Sequence, residues 1–259
     1  MMASTLKDKM TIKRPLLGGF IFSSDSNISE LYAEAGYDFV IIDTEHALND
    51  LRIVQTHVRA CAATGIHALV RLGAANYADA SRLLDAGVEG LMIPHLGHDE
   101  RADGIVQAMK YWPEGVRATC TGVKIAGYGQ RNFAQAAAQS NQDVVAVGLI
   151  EDRTCVERIE QVLEDSKVDW IMPGPADLAS SYGLHGQLTH PTVQQAVARI
   201  IEAAQARQTK VGVYINELSE IDQWKDRQID FFVHAIDYKI LGKALRAAVG
   251  DFQQRVLSN

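Results

Sequence analysis

Phe39-Val40-Ile41-Ile42-Asp43-Thr44-Glu45-His46 passes without a break from four aromatic or β-branched residues to four polar ones. A continuous apolar run of this length reads as a strand covered on both faces. The polar residues then stand where that strand leaves the core. The same junction recurs along the chain. Ala68-Leu69-Val70 leads to Arg71, Leu91-Met92-Ile93 to Pro94-His95, and Val147-Gly148-Leu149-Ile150 to Glu151-Asp152. Trp170-Ile171-Met172 leads to Pro173-Gly174-Pro175-Ala176-Asp177.

Working outward, short apolar runs alternate with amphipathic stretches eight times. The pattern predicts strands over Leu17–Phe22, Phe39–Ile42, Ala68–Arg71, Gly90–Ile93, Val144–Ile150, Trp170–Met172, Lys210–Tyr214 and Phe231–Ala235. It predicts helices over Ile28–Ala35, Leu51–Ala63, Ala78–Ala86, Asp99–Met109, Cys155–Leu163, Pro191–Gln208 and Glu217–Asp226, with a final helix over Tyr238–Val256. Buried strands joined by helices make a parallel sheet. Eight such units in 259 residues favour a closed (β/α)₈ TIM barrel over an open doubly wound sheet.

No Gly- or Pro-rich linker divides the chain, so one barrel domain is expected over residues 1–259, with residues 1–14 as an N-terminal extension. Residues 111–140 make too long a connection between a helix and a strand. They carry Trp112–Arg117 and Gly127–Phe133, a mix of aromatics, Arg and Gly. Long insertions in compact domains serve function or interfaces, so this segment is expected to flank the active site.

Apolar residues are 47% of the chain, enough for a large core, and the formal charge is −7 with no Lys/Arg-rich run. Nucleic acid and anionic membranes are therefore poor partners, whereas a small anionic substrate needs only one local cation. Cys61, Cys120 and Cys155 are scattered without a CxxC spacing, which excludes zinc-finger and redox-motif readings and suits reduced thiols. The first fifteen residues lack the apolar core of a secretory signal, and no apolar run approaches the ~20 residues of a membrane span. A cytoplasmic protein is expected.

Each polar residue at a strand end has an ordinary explanation by itself. Asp43 or Asp177 can cap a helix, Glu151 can be a solvated loop residue, His46 and His95 surface histidines, and Arg71 an ion-pair partner. Their convergence on the carboxyl rim, where barrels keep their active sites, points instead to catalysis. Glu151 and Asp177 follow adjacent strands, so both carboxylates can reach one hard cation such as Mg²⁺ or Mn²⁺. The turn Gly174-Pro175-Ala176-Asp177 opens a helix whose amides at Ala176 and Asp177 can seat a substrate carboxylate. Arg71 is permanently charged and suited to an oxyanion or enolate, and His46 to proton transfer. Such a set describes enolate chemistry on a 2-oxo acid. A Schiff base would need a desolvated lysine at the rim. Lys210 begins its strand at the opposite end, Lys124 lies in the long segment, and Lys239 and Lys243 lie in or near the last helix. No Schiff-base lysine and no nucleotide cofactor are expected.

These residues resemble the HpcH/HpaI aldolases, class II pyruvate aldolases that include 4-hydroxy-2-oxoheptanedioate and 2-dehydro-3-deoxyglucarate aldolases. The matching pieces are Asp43-Thr44-Glu45-His46-Ala47, Val70-Arg71, Leu84-Asp85-Ala86-Gly87, Met92-Ile93-Pro94-His95, Tyr111–Arg117, Ile150-Glu151, Gly174-Pro175-Ala176-Asp177-Leu178 and His190-Pro191. They follow the family's order through nearly the whole chain.

The resemblance implies that Glu151 and Asp177 bind a divalent metal, Mg²⁺, Mn²⁺ or Co²⁺. It implies that Arg71 holds the keto oxygen and that His46, paired with Asp85, shuttles the proton. The amides of Ala176 and Asp177 would hold the pyruvate carboxylate, and Asp43 would orient the network. It also implies a homo-oligomer, a trimer of dimers, in which the last helix packs on a neighbouring subunit. Three positions depart from the pattern: Leu149 stands where Gln is common, Leu72 where many have Pro, and Phe20 where some have Trp.

The expected reaction is reversible retro-aldol cleavage of a 4-hydroxy-2-oxo acid to pyruvate, or an analogue, and an aldehyde. An acyl-coenzyme A lyase of the citrate or malyl type and an oxaloacetate decarboxylase are the alternatives on the same metal site. A barrel kept only as a binding scaffold would have lost Glu151, Asp177 or Arg71, and all three are present.

Overall fold

A computed structural model of the chain describes residues 5–11, 14–73, 77–98 and 100–257. Eight parallel strands close into a barrel in sequence order. They are β1 (Leu16–Ile21), β2 (Phe39–Asp43), β3 (His67–Arg71), β4 (Gly90–Ile93), β5 (Val145–Ile150), β6 (Trp170–Pro173), β7 (Lys210–Ile215) and β8 (Phe231–Ile236). Closure pairs β8 with β1, Leu16 lying opposite Phe231.

The unbroken apolar runs follow from burial on both faces. In β2, Phe39 and Ile41 point into the barrel, while Val40 and Ile42 pack under the helices. In β5, Val145, Val147 and Leu149 point in, while Ala146 and Ile150 point out. The interior is a packed core. Phe39, Trp170 and Phe231 meet there with ring centroids 5.1–6.4 Å apart. Gly18 and Gly212 make room, since a Cβ at either would stand within 2.3 Å of a Phe39 or Phe231 ring carbon.

The helices after the strands are α2 (Asn27–Glu34), α3 (Leu51–Thr64), α4 (Tyr77–Asp85), α5 (Glu100–Met109), α7 (Arg153–Glu157), α8 (Ile159–Ser166), α9 (Pro175–Ser181), α10 (Pro191–Ala206) and α11 (Asp237–Leu257). A short α1 (Leu6–Lys9) precedes the barrel and α6 (Phe133–Asp143) precedes β5. Leu6 is fully buried in the interior cluster, so α1 plugs the amino end of the barrel and is more than an extension. Residues 1–4, 12 and 13 of that expected extension lie outside the described residues.

Three expectations need correction. The helix expected over Cys155–Leu163 is two helices, broken at Arg158, whose φ of −120° and ψ of 31° are not helical. The stretch Glu217–Asp226 forms a 3₁₀ helix, Leu218–Trp224. Residues 111–140 do not flank the carboxyl rim of their own barrel. They join α5 to β5 and so belong to the amino end, where a 3₁₀ turn (Lys124–Gly129) and α6 border a cavity of about 760 Å³ with Gly87 and Glu89. Asp99, the expected start of the fourth helix, lies outside the described residues. Among the described residues no helix is long and apolar enough to cross a membrane.

Candidate active site

Strand alternation aims the rim. Asp43, Arg71 and Glu151 stand two residues beyond the interior-facing Ile41, Leu69 and Leu149, so all three inherit the inward direction. They are buried polar residues at the open end of an apolar barrel: Asp43 is 0%, Arg71 9% and Glu151 5% exposed.

Asp43 is the organiser. One oxygen receives Arg71 Nε at 2.6 Å and the Glu45 amide at 3.2 Å, and the other receives the His46 amide at 3.0 Å. The turn after β2 and the guanidinium after β3 are thereby held by one carboxylate. Below, the Arg71 guanidinium lies 4.7 Å from the centre of the Phe20 ring, a cation–π contact. Arg71 Nη1 also stands 3.3 Å from Glu45 Oε2.

One further residue, Glu45, enters the site, and His95, expected at the rim without an assigned role, acquires contacts there. Glu45 Oε2 is buried and makes no hydrogen bond. Burial raises the Glu45 carboxyl above its ordinary value, although Arg71, His46 and His95 pull it back down. His95 bridges two acids: its amide donates to Glu151 Oε2 at 2.9 Å, its Nδ1 stands 3.5 Å from the same oxygen, and its Nε2 stands 3.8 Å from Glu45 Oε1. This requires a left-handed backbone at His95, φ 55°, a strained conformation for a residue with a Cβ. Both residues occupy strand-end junctions visible in the sequence. What the sequence lacked was any sign that the turns fold back toward Glu151.

Glu151 is the most perturbed acid of the rim. Burial pushes its carboxyl up to about 7; the His95 amide pulls it down, and the charge of Asp177 pushes it up again. Gly174 packs directly against it, since a Cβ there would stand 2.5 Å from Glu151 Cγ. Gly174 is also the N-cap of α9 and offers no side chain to the first turn. The amides of Ala176 and Asp177 therefore have no partner within the helix, and Pro175 at N1 has no N–H to present. Asp177 is exposed, on the open side of the cleft. Leu149, 1% exposed in the interior cluster, lies directly beneath Glu151 and supplies no polar contact. Leu72 is buried under the helices.

These residues suit a hard divalent cation. Glu151 is buried and its ion-pair contacts among the described residues are with His95 alone; Glu45 is half-buried, and its Oε2 makes no hydrogen bond although Arg71 Nη1 stands 3.3 Å away. A cation offsets exactly this kind of excess negative charge. No three His, Cys, Asp or Glu side chains among the described residues gather tightly enough to hold an ion by themselves, so protein ligands would be few and oxygen ligands from water or substrate would complete the shell.

The structure does not pair His46 with Asp85 within one chain. His46 is exposed beside Glu45, Nε2 to Oε2 3.7 Å. Asp85 ends α4 and thus lies at the amino end of the barrel, where it accepts Arg117 Nη2 at 2.5 Å. Helix polarity separates the two: α4 starts at the rim after β3 and finishes at the other pole.

A closed (β/α)₈ barrel with acids, an arginine and histidines gathered at the carboxyl rim defines a barrel enzyme. The chain belongs to the HpcH/HpaI aldolase/citrate lyase family, whose model matches residues 16–239, and it is accordingly a carbon–carbon lyase. It is 31% identical to a hydroxypyruvate/pyruvate aldolase of Paraburkholderia phytofirmans over 94% of this chain and 95% of that protein. It is 28% identical to a 4-hydroxy-2-oxo-heptane-1,7-dioate aldolase of Escherichia coli over 97% and 95%. The solved HpcH/HpaI aldolase of Desulfitobacterium hafniense superposes with a TM-score of 0.90 at 27% identity, over 97% of this chain and 98% of that one.

Proposed function

We propose that the enzyme is a divalent-metal-dependent class II aldolase that reversibly cleaves a 4-hydroxy-2-oxo acid to pyruvate, or a close analogue, and an aldehyde. The observation that carries this reading is Glu151: a buried carboxylate pushed up to about 7 by burial, set beside Asp177 and a positioned arginine. Glu151 and Asp177 are the residues that would hold the metal, which when bound supplies Lewis-acid polarisation of the 2-oxo group.

The chain's own groups do the rest. The amides of Ala176 and Asp177, after Gly174 and Pro175, bind the substrate carboxylate at a helix start. Arg71, fixed by Asp43 and floored by Phe20, faces the oxygen on which negative charge grows as the C3–C4 bond breaks. His46, exposed and free to reach substrate, takes the proton of the 4-hydroxyl as the aldehyde forms. In the synthetic direction the same groups run in reverse.

A homo-oligomer, a trimer of dimers, is part of this reading. Helix α11 has only Asp237 buried along 21 residues, and Leu241, Leu245, Val249, Phe252 and Val256 are each more than half exposed. An apolar stripe of that length fits a second copy.

The test is turnover of 4-hydroxy-2-oxo acids before and after exhaustive chelation. Activity should vanish and return with Mg²⁺, Mn²⁺ or Co²⁺. Undiminished turnover without metal would refute the proposal. Release of CO₂ from oxaloacetate without any aldol cleavage would favour the decarboxylase reading.

A further inference from the structure

Glu45 and His46 reach the cleft on the loop that joins β2 to α3, and the two halves of that loop are held differently. The incoming half is braced from within. The Asp43 carboxylate takes the amides of Glu45 and His46, and Thr44 donates its amide and its hydroxyl to the Arg71 carbonyl at 3.1 and 2.6 Å. Gly73 packs against this half, since a Cβ there would stand 2.3 Å from the Thr44 carbonyl oxygen. The outgoing half is open to solvent, and Leu48 at its tip is fully exposed. One side chain turns back inside. It is Asn49, 6% exposed.

Asn49 does not serve the helix that follows. Asp50 is the N-cap of α3 and takes the Arg52 and Ile53 amides itself. A buried side-chain amide must find acceptors for its N–H groups, and Asn49 finds them away from the helix. Its Nδ2 donates to the Asp43 carbonyl, six residues back, at 3.1 Å and stands 3.5 Å from the Phe22 carbonyl. The first contact closes residues 43–49 into a hoop that carries Glu45 and His46. The second sets the closure against a fixed point. Buried Asp237 receives the amides of Phe22 and Ser23 at 3.1 and 2.9 Å, and the Ser23 carbonyl faces Nε2 of buried His57 at 3.1 Å. The outgoing half of the loop is thereby anchored to the end of β1 as well as to the end of β2.

We propose that Asn49 is a positioning residue for His46: it closes the loop on the Asp43 carbonyl and so holds the imidazole at the cleft without touching substrate. This rests on the aldolase reading, in which His46 carries the proton of the 4-hydroxyl. A displacement of about 1 Å at a reacting group costs on the order of a hundredfold in rate, so a loosened hoop is felt in kcat before it is felt in binding.

The test measures cleavage of 4-hydroxy-2-oxopentanoate with Mn²⁺ by the native enzyme, Asn49→Ala, His46→Ala and the double variant. Asn49→Ala should lower kcat about tenfold or more and leave KM within about twofold, because Arg71, the acids and the start of α9 are untouched. In the His46→Ala background the same change should cost less than about twofold, the group it positions being gone. A full kcat in Asn49→Ala, or the same loss in both backgrounds, would overturn the assignment. Asn49→Ser, which shortens the side chain and removes its reach to Asp43, carries the same comparison if Asn49→Ala does not fold. Amide hydrogen exchange separates the two readings. If the native enzyme cleaves no 4-hydroxy-2-oxo acid, or His46→Ala keeps full turnover, the aldolase reading fails, and the hoop is then decided by exchange at the Glu45 and His46 amides. Exchange faster by about tenfold or more in the Asn49 variant would sustain it, and equal exchange would overturn it.

Discussion

At the amino end of the barrel, Asp38, Glu89, Asp169 and Asp230 each stand one residue ahead of an even-numbered strand, and each is tied to the strand before it. Asp38 receives the Leu17 amide and Arg14, Asp169 the Ala146 amide and Lys7, Asp230 the Val211 amide and Lys210, and Glu89 the His67 ring. At the carboxyl end, buried Glu151 and half-buried Glu45 share His95, and Arg71 makes its shorter contact with Asp43, 2.6 Å against 3.3 Å to Glu45. The contrast separates two uses of acid. Acids matched with donors fasten strand to strand; acids left short of hydrogen-bond donors carry a buried charge that suits a cation.

The sharpest way to break this comparison is Glu151→Gln. Turnover should fall by about a thousandfold or more, since a neutral amide is a poor ligand for a hard cation. The metal-free variant should nonetheless melt higher than the native protein at pH 8, by roughly 5 °C, because the buried charge is gone. The sign follows from a folded value of about 7 against an ordinary 4.5. Below pH 4.5 the group is protonated in both states and contributes nothing. Between 4.5 and 7 the unfolded chain ionises first, so stability in chelator falls as pH rises, and above 7 the cost is complete. Thermal melts across that range should show the slope in the native protein and its loss in the variant.

Asp38→Ala should do the reverse. Removing an acid that is buried and bonded to Arg14 and the Leu17 amide should cost roughly 2–3 kcal/mol in chemical denaturation and leave the turnover of folded enzyme unchanged. Burial acts to raise the Asp38 carboxyl, but Arg14, the Leu17 amide and Lys9 overcome it and hold it below its ordinary 3.8. Its stabilising contribution is thus present above pH 3.8 and lost as pH falls through the lower folded value. A loss of turnover as large as the loss of stability would blur the division between the two ends.

Arg71→Lys should lower kcat about a hundredfold with little change in melting temperature, because an ammonium cannot serve Asp43 and an enolate oxygen together. The smallest effect is expected at His95. His95→Asn relieves a left-handed backbone and should stabilise the fold by about 0.5–1 kcal/mol while slowing turnover, as measured by paired denaturation and rate assays.

The strands were legible because burial on both faces leaves so little choice of residue: Phe39-Val40-Ile41-Ile42 and Val147–Ile150 could be little else, and the observed ends agree within a residue. The inward aim of Asp43, Arg71 and Glu151 was legible for the same reason, through alternation. His95 was legible as a rim residue, but its bridge between Glu45 and Glu151 was not, because a turn with positive φ at a histidine carries no mark in the sequence. Asp85 was joined to His46 by likeness, while the direction of α4 carries it to the far pole. The long segment after α5 drew attention by its composition, and its end of the barrel follows from the connection it makes rather than from the residues in it.

The central claim is that Glu151 and Asp177 jointly hold a cation. It is tested most directly by calorimetric titration of Mn²⁺ into the metal-free enzyme, into Glu151→Gln and into Asp177→Asn. One ion per chain in the native enzyme, with affinity falling at least tenfold in each variant, is the predicted result. No binding at all, or binding undiminished in both variants, would contradict it.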